Sequence, residues 1–243
     1  ELEAETQRSK QLQAMGEMAV QLAHEVRNPL GSIELFASLL GSELREGSEH
    51  KAWANNIVTG VKFLNHIVTN MLTFTRESVP QLRKFDLRAV VIETLDFFDP
   101  ILRQRAIQVS PPTEPPAGMD VCGDPEMLRQ MLMNLFMNAL QAMPESGQLS
   151  VRLKDEGSEW IQIDVEDTGV GISTENLTRI FDPFFTTNAK GTGLGLALVG
   201  QIVRKHGGEI RAQSEFGQGT QFVILLPRCR IAIARPESVG AGS

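Results

Sequence analysis

Apolar residues recur at alternating spacings of three and four through residues 1–79, and this periodicity restricts the region to helices. Leu12, Met15, Ala19, Leu22, Val26, Ile33, Phe36 and Leu40 make one run. After a break at R-E-G-S-E-H (45–50), Trp53, Ile57, Gly60, Leu64, Ile67, Met71 and Phe74 make a second. Strand side chains alternate every two residues, so such a seam cannot sit on a sheet, whereas two helices carry it naturally. The short break turns them back on each other as an antiparallel hairpin. Val20, Val61 and Val68 widen the stripe beyond what one hairpin buries. Two copies forming a four-helix bundle would bury it, so a homodimer is expected, with packing on the rest of the chain as the alternative. Pro29 falls on the seam; it removes the hydrogen bond to the Glu25 carbonyl and should kink the helix beside His24 and act as a hinge.

The pattern changes from residue 85. K-F-D-L-R-A-V-V-I-E-T-L-D-F-F reads as a short strand and an amphipathic helix, and P-P-T-E-P-P (111–116) as a loop. Asp120–Met143 reads as one helix, with Asp124 and Pro125 as N-cap and first-turn residues. Gln148–Lys154 and Trp160–Glu166 alternate as strands. A glycine-rich stretch (167–195) leads into a helix over Leu194–His206, stopped by Gly207 and Gly208. His206 is expected to interact with that helix's C-terminal dipole. Glu209–Ser214 and Gly219–Leu226 read as the last strands, and 228–243 as a frayed tail. Mixed strands and helices without strict alternation indicate an α/β sandwich with helices on one face of the sheet. The expected division is therefore 1–79 helical, 84–227 α/β and 228–243 tail, with a flexible hinge near Ser78–Arg83.

A net charge of −7 and a pI near 5.2 argue against broad electrostatic binding to nucleic acid. Two cysteines, Cys122 and Cys229, are too few for a disulfide scaffold, which makes a reducing cytoplasm the default. No apolar run reaches the ~18 residues of a membrane span, and no signal peptide is visible. Because the chain starts at Glu1, it is expected to be a fragment, and membrane attachment of the full-length protein is left open.

Three segments carry candidate chemistry. In A-H-E-V-R-N-P-L (23–30) the heptad count places His24 on the outer surface. A surface histidine is ordinarily only a polar side chain. Here Glu25 could accept a proton from one imidazole nitrogen and leave the other nucleophilic, and Asn28 lies one turn on. In N-L-F-M-N-A-L-Q-A (134–142), Asn134 and Asn138 share a helix face. They read either as a buried capping pair or as carboxamide oxygens for Mg²⁺ bridging phosphates. D-T-G-V-G-I (167–172) follows a strand directly. Asp167 is an acceptor there, and Gly169 and Gly171 would admit a flat ligand, or else simply make a tight turn. R-I-F-D-P-F-F-T-T (179–187) could anchor a mobile segment. G-T-G-L-G-L (191–196) opens a helix whose free amides suit an anion. Leu196 and Leu198 stand where a G-x-G-x-x-G motif requires glycine, so a dinucleotide fold is disfavoured, and no P-loop or Ser/Thr/Tyr kinase signature is present.

In order and spacing these segments resemble a bacterial sensor histidine kinase. A-H-E-V-R-N-P-L looks like the H-box, N-L-F-M-N-A the N-box, D-T-G-V-G and G-T-G-L-G-L-A the two G-boxes, and F-D-P-F-F the F-box. The resemblance covers 12–227 and implies a Bergerat-type ATP-binding fold behind a dimerisation and phosphotransfer hairpin. It implies His24 as phosphoacceptor, Glu25 as its polarising partner and Asn28 as the orienter of water in dephosphorylation. It implies Asn138 as Mg²⁺ ligand and Asn134 beside the phosphates. Asp167 would read the adenine amine and Arg179 the γ-phosphate. The remaining ATP contacts would fall at Gly169, Gly171, Phe181, Lys190, Gly191, Thr192, Gly193, Leu194 and Gly195. Gln141 and Asn188 depart from common patterns, and His50, His66 and His206 match no catalytic position. ATP and Mg²⁺ are the implied cofactors, and a response regulator receiver domain the implied partner. H-E-V-R-N-P-L-G-S-I with F-F-T-T is similar to the nitrogen-regulator branch, which points to a σ54-dependent activator. The alternatives are a Bergerat-fold ATPase and a nucleotide-sensing dimeric scaffold without phosphotransfer.

Overall fold

The computed structural model describes residues 25–75, 79–112, 119–188 and 191–229. The expectations on His24, on the first three turns of the seam, on Lys190 and on most of the 111–116 loop fall outside these residues. Helix α1 covers 25–43 and runs through Pro29. It is followed by a loop and by α2, Glu49–Thr75. The two are antiparallel: Arg27 Nη2 donates to Thr69 Oγ1 at 3.1 Å, and a Cβ on Gly41 would stand 3.5 Å from Ala54 Cβ. The helices meet through small or recessed residues. Leu30, Ala37, Ala54 and Val61 are buried between them, while Ile33, Phe36, Leu40, Trp53, Ile57 and Leu64 remain exposed. The wide stripe is thus split, with one strip consumed inside the hairpin and the bulkier one facing outward. Phe74, expected on the seam, instead meets Phe184 edge to face at 6.4 Å.

The second unit begins with β1 (Arg83–Asp86), α3 (Leu87–Gln104) and β2 (Ile107–Ser110). There follow β3 (Asp120–Gly123), α4 (Pro125–Ala142), β4 (Gly147–Glu156) and β5 (Trp160–Asp167). The short α5 (Thr174–Leu177) precedes α6 (Gly195–Lys205), β6 (Glu209–Glu215) and β7 (Gly219–Pro227). The main sheet has the order β2-β4-β5-β7-β6, parallel only between β2 and β4, and β1 and β3 form a separate antiparallel pair. Register sets Val151 opposite Val165 and Val165 opposite Phe222, then Leu153 opposite Ile163 and Ile163 opposite Ile224. Cross-strand partners share a face, so these residues make one apolar surface, which buries Phe98 of α3, Leu132 and Phe136 of α4, and Leu198 and Ile202 of α6.

Three expectations need correction. Asp120–Gly123 is a strand, and the helix starts at Pro125; the Asp124 carboxylate accepts from the amides of Glu126 and Met127 at 3.0 and 3.2 Å, which fixes the start. The first two residues of the expected tail are tied down, and 230–243 lie outside the described residues. Arg228 bridges to Val121 and pairs with Asp155 at 2.8 Å, and Cys229 is disulfide-bonded to Cys122 across a Cα separation of 4.6 Å. Cysteine number therefore says nothing here about redox compartment. Nor is the 79–83 segment wholly free: the Gln81 amide donates to Asp124 Oδ2 at 3.0 Å.

His206 is buried and doubly bonded. Nδ1 lies 2.8 Å from the Ile202 carbonyl, and Nε2 accepts the Asp124 amide at 2.9 Å. It closes α6 as expected, through a hydrogen bond, and also ties that end to the start of α4. Gly207 (φ 68°) and Gly208 complete the stop, returning amides to Arg204 and Val203 at 3.0 and 2.9 Å.

Candidate functional site

The polar face of α4 forms one wall of a cleft of about 490 Å³, within the range typical of small-molecule sites. Asn134, Asn138 and Gln141 face into it at helical spacing, opposite Gly191, Thr192, Gly193 and Gly195 at the entry to α6. Gly171, Ile172 and Thr220 close one end and Ile180 and Phe185 another, while His66, Ile67 and Asn70 of α2 contribute a third side.

Asp167 follows from the strand pattern. It is the next residue after Val165 on the apolar face of β5, opposite Leu149 and Thr220. Its carboxylate is therefore carried to the helix side of the sheet and is buried. Burial pushes it up to about 6, against the opposing pull of amide hydrogen bonds from Gly169 and Thr220. The Gly169 bond measures 2.9 Å. One carboxylate oxygen is thus fixed by backbone. The group is a buried acceptor suited to a donor on a ligand.

The glycines divide by what they approach. A Cβ on Gly169 would stand 2.5 Å from Ala142 Cβ, and one on Gly171 (φ 69°) 2.1 Å from the Glu215 carbonyl. A Cβ on Gly193 (φ 68°) would stand 2.4 Å from the Phe184 carbonyl carbon. These three give way to protein backbone and side chain, not to a flat ligand. Gly195 differs: its nearest neighbour is Asn134 Oδ1, at 3.4 Å from an added Cβ. It is the first residue of α6, whose N-cap, the buried Leu194, offers no side-chain bond. The helix therefore starts with amides uncapped by a side chain, beside a carboxamide.

Other expected residues lie elsewhere. Arg179 does not line the cleft; its guanidinium sits over the Phe185 ring at 4.6 Å. Phe181 packs on the core, where its ring is 3.7 Å from a Cβ added at Gly200. Asn188 Nδ2 donates to Gln141 Oε1 at 3.4 Å, so the two positions that depart from the common pattern touch. Glu25 and Asn28 are exposed on α1. His66 and Asn70 went unassigned in the sequence, although a buried polar pair one turn apart on α2, off the apolar seam, is a readable signal.

Residues 14–78 match the "His Kinase A (phospho-acceptor) domain" and 123–230 the "Histidine kinase-, DNA gyrase B-, and HSP90-like ATPase" domain. Sensor histidine kinase ZraS of Escherichia coli (strain K12) is 36% identical over 98% of this chain and 50% of its own length. The catalytic domain of histidine kinase ThkA is 30% identical over 61% of this chain and 96% of that one, with a TM-score of 0.56. ThkA in complex with response regulator protein TrrA matches 94% of this chain and 66% of that one at 28% identity, with a TM-score of 0.60. The chain spans about half the length of the ZraS sequences it matches. It belongs to the sensor histidine kinases.

Proposed function

We propose that this chain is a sensor histidine kinase core that binds ATP with Mg²⁺ in the α4–α6 cleft, phosphorylates His24 and passes the phosphoryl group to an Asp of a response regulator receiver domain. The observation that carries the reading is the convergence of Asn134, Asn138 and the amide-bearing start of α6 on one cleft, with Asp167 buried at the end of β5. Asp167 would accept from the adenine amine. The glycine loop 191–195 would receive the phosphates, with Thr192, Lys190 and Arg179 as further contacts.

Carboxamide oxygen suits a hard cation that keeps several waters. Among the described residues no group of three or more His, Cys, Asp or Glu could hold a metal alone. Asn138 would therefore share Mg²⁺ with the phosphates, and the ion when bound would offset their charge. Phosphoryl transfer asks the protein mainly for positioning and charge neutralisation. Glu25, next to His24, would take a hydrogen bond from one imidazole nitrogen and leave the other to attack. Asn28, one turn further on, would orient water when the phosphorylated regulator is hydrolysed.

The outward strip of Ile33, Phe36, Leu40, Trp53, Ile57 and Leu64 supports a homodimer with a four-helix bundle. The division would place dimerisation and phosphotransfer on 1–79 and nucleotide binding on 84–227. The sequence resemblance to the nitrogen-regulator branch makes a σ54-dependent activator the favoured partner. Among the described residues no helix is long and apolar enough to cross a membrane. The test is incubation with γ-labelled ATP and Mg²⁺. Label lost in acid, kept in base and absent from His24→Gln is expected. Label that survives in His24→Gln would refute the assignment of the acceptor.

A further inference from the structure

One buried polar cluster joins the two units at Asn134, a residue of the cleft described above. His66 and Asn70 of α2 are 6% and 7% exposed, although both are polar. Asn70 Nδ2 donates to Asn134 Oδ1 at 2.5 Å, and Asn134 Nδ2 returns a bond to Asn70 Oδ1 at 3.3 Å. His66 Nε2 lies 3.0 Å from the same Asn134 oxygen. Nε2 also lies 3.1 Å from Asn70 Nδ2, so the ring donates to the Asn134 oxygen in one tautomer and accepts from Asn70 in the other. Burial pushes the His66 imidazole below its ordinary value, in keeping with a neutral ring. Gln130 fastens the cluster from α4, donating to Asn70 Oδ1 at 2.9 Å and Thr73 Oγ1 at 3.2 Å, while its carbonyl accepts Asn134 Nδ2 at 3.1 Å.

A carboxamide has two acceptor sites on oxygen and two N–H donors. Asn134 exchanges two bonds with Asn70 of α2 and gives its second N–H to the Gln130 carbonyl of its own helix, and His66 Nε2 stands at the remaining oxygen site. Yet its oxygen adjoins Gly195, at the start of α6. The side chain that a nucleotide's phosphates would meet in the cleft is held chiefly by the hairpin. Apolar contacts hold α2 on either side of the cluster: Phe63 lies against Phe98 with 5.7 Å between ring centroids, and Phe74 against Phe184.

We propose that Asn134 is shared between two exclusive partners, His66 and Asn70 when α2 is docked and the nucleotide when it is not, so that nucleotide binding releases α2 and docked α2 weakens nucleotide binding. This rests on the nucleotide reading of the cleft. Coupling between the two events is reciprocal by linkage, and coupling energies of this kind typically correspond to about fivefold or more in affinity. Undocking costs His66 and Asn70 little in hydrogen bonding, because water replaces their lost partner. Asn134 could not stay buried and unpaired so cheaply.

The test uses the whole chain, a non-hydrolysable ATP analogue and Mg²⁺. Calorimetry of Asn70→Leu should show the analogue bound at least about fivefold more tightly than by the unmodified chain, and His66→Phe should change affinity in the same direction. Saturating analogue should also move the His66 ring resonance of the unmodified chain, identified by its loss in His66→Gln, toward that of a solvent-exposed imidazole. Unchanged or weaker affinity in both variants, or an unmoved His66 resonance with the site saturated, overturns the shared role of Asn134 and leaves the nucleotide site standing. Failure of the unmodified chain to bind the analogue overturns both.

Discussion

The hairpin and the α/β unit treat their large apolar residues in opposite ways. In the α/β unit Phe98, Phe136 and Phe222 are at most 1% exposed and the sheet's inner face is covered by helices of the same chain. In the hairpin Phe36 is 68% and Trp53 58% exposed. A unit that closes its own core can fold and move as a body, whereas one that leaves half its stripe in water is completed by association. Helix α2 belongs to both regimes. Its outward strip is exposed, while Phe63, His66, Asn70 and Phe74 engage the α/β unit of the same chain.

The contrast breaks most visibly in the core. Phe136→Ala leaves a void between α4 and the sheet and should cost about 3–5 kcal/mol of unfolding free energy in denaturant titration. Phe36→Asp should leave that transition where it is and instead raise the dimer dissociation constant by at least about thirtyfold, the equivalent of about 2 kcal/mol, in sedimentation. A loss of α/β stability in Phe36→Asp would mean that the hairpin and the second unit share a core.

A smaller effect sharpens the contrast at the cleft. Asp167→Asn replaces an acceptor by a group that is half donor and should weaken ATP by about tenfold to a hundredfold. Its pH dependence has a defined sign. The folded carboxyl titrates near 6, above the ordinary carboxylate range, so its contribution to stability is full below the unfolded value and is lost as pH rises through 6. An adenine amine favours the ionised form, so ATP affinity should fall as pH drops through 6, and the fall should vanish in Asp167→Asn. The mildest change lies on the hairpin. Asn28→Ala removes an exposed side chain, so stability should shift by less than about 0.5 kcal/mol. Dephosphorylation of a phosphorylated regulator should nonetheless slow far more than autophosphorylation. Equal slowing of both rates would sink the assignment of Asn28.

Much of this was legible in the residues. Period-two alternation found β4 and β5, β6 and β7 were read as the closing strands, and the capping pattern Asp124–Pro125 marked the true start of α4 even though the helix was drawn from Asp120. β3 was lost to that extension because D-V-C-G is too short to show a period of two. β2 was missed for the same reason: it is four residues long. Glycine spacing located the cleft but not the reasons for its glycines. That Gly169 yields to Ala142 and Gly193 to Phe184 depends on contacts between segments far apart in sequence. Arg179 shows the limit from the other side, since a residue type and a position do not say that its charge will rest on a phenyl ring. The disulfide between Cys122 and Cys229 was invisible to counting, because pairing depends on β3 and the end of β7 being neighbours.

The bond between Asp124 and His206 joins α6 to the segment between hairpin and α/β unit. The helix has 11 residues and so is about 16 Å long at a rise of ~1.5 Å per residue. One end begins at the glycines of the cleft. The other is pinned through His206 to Asp124, which also holds the amide of Gln81 in the connector between hairpin and α/β unit. The start of α6 at the cleft and the connector at Gln81 are thus the two ends of one continuous bonded path, with the helix as its stiff segment.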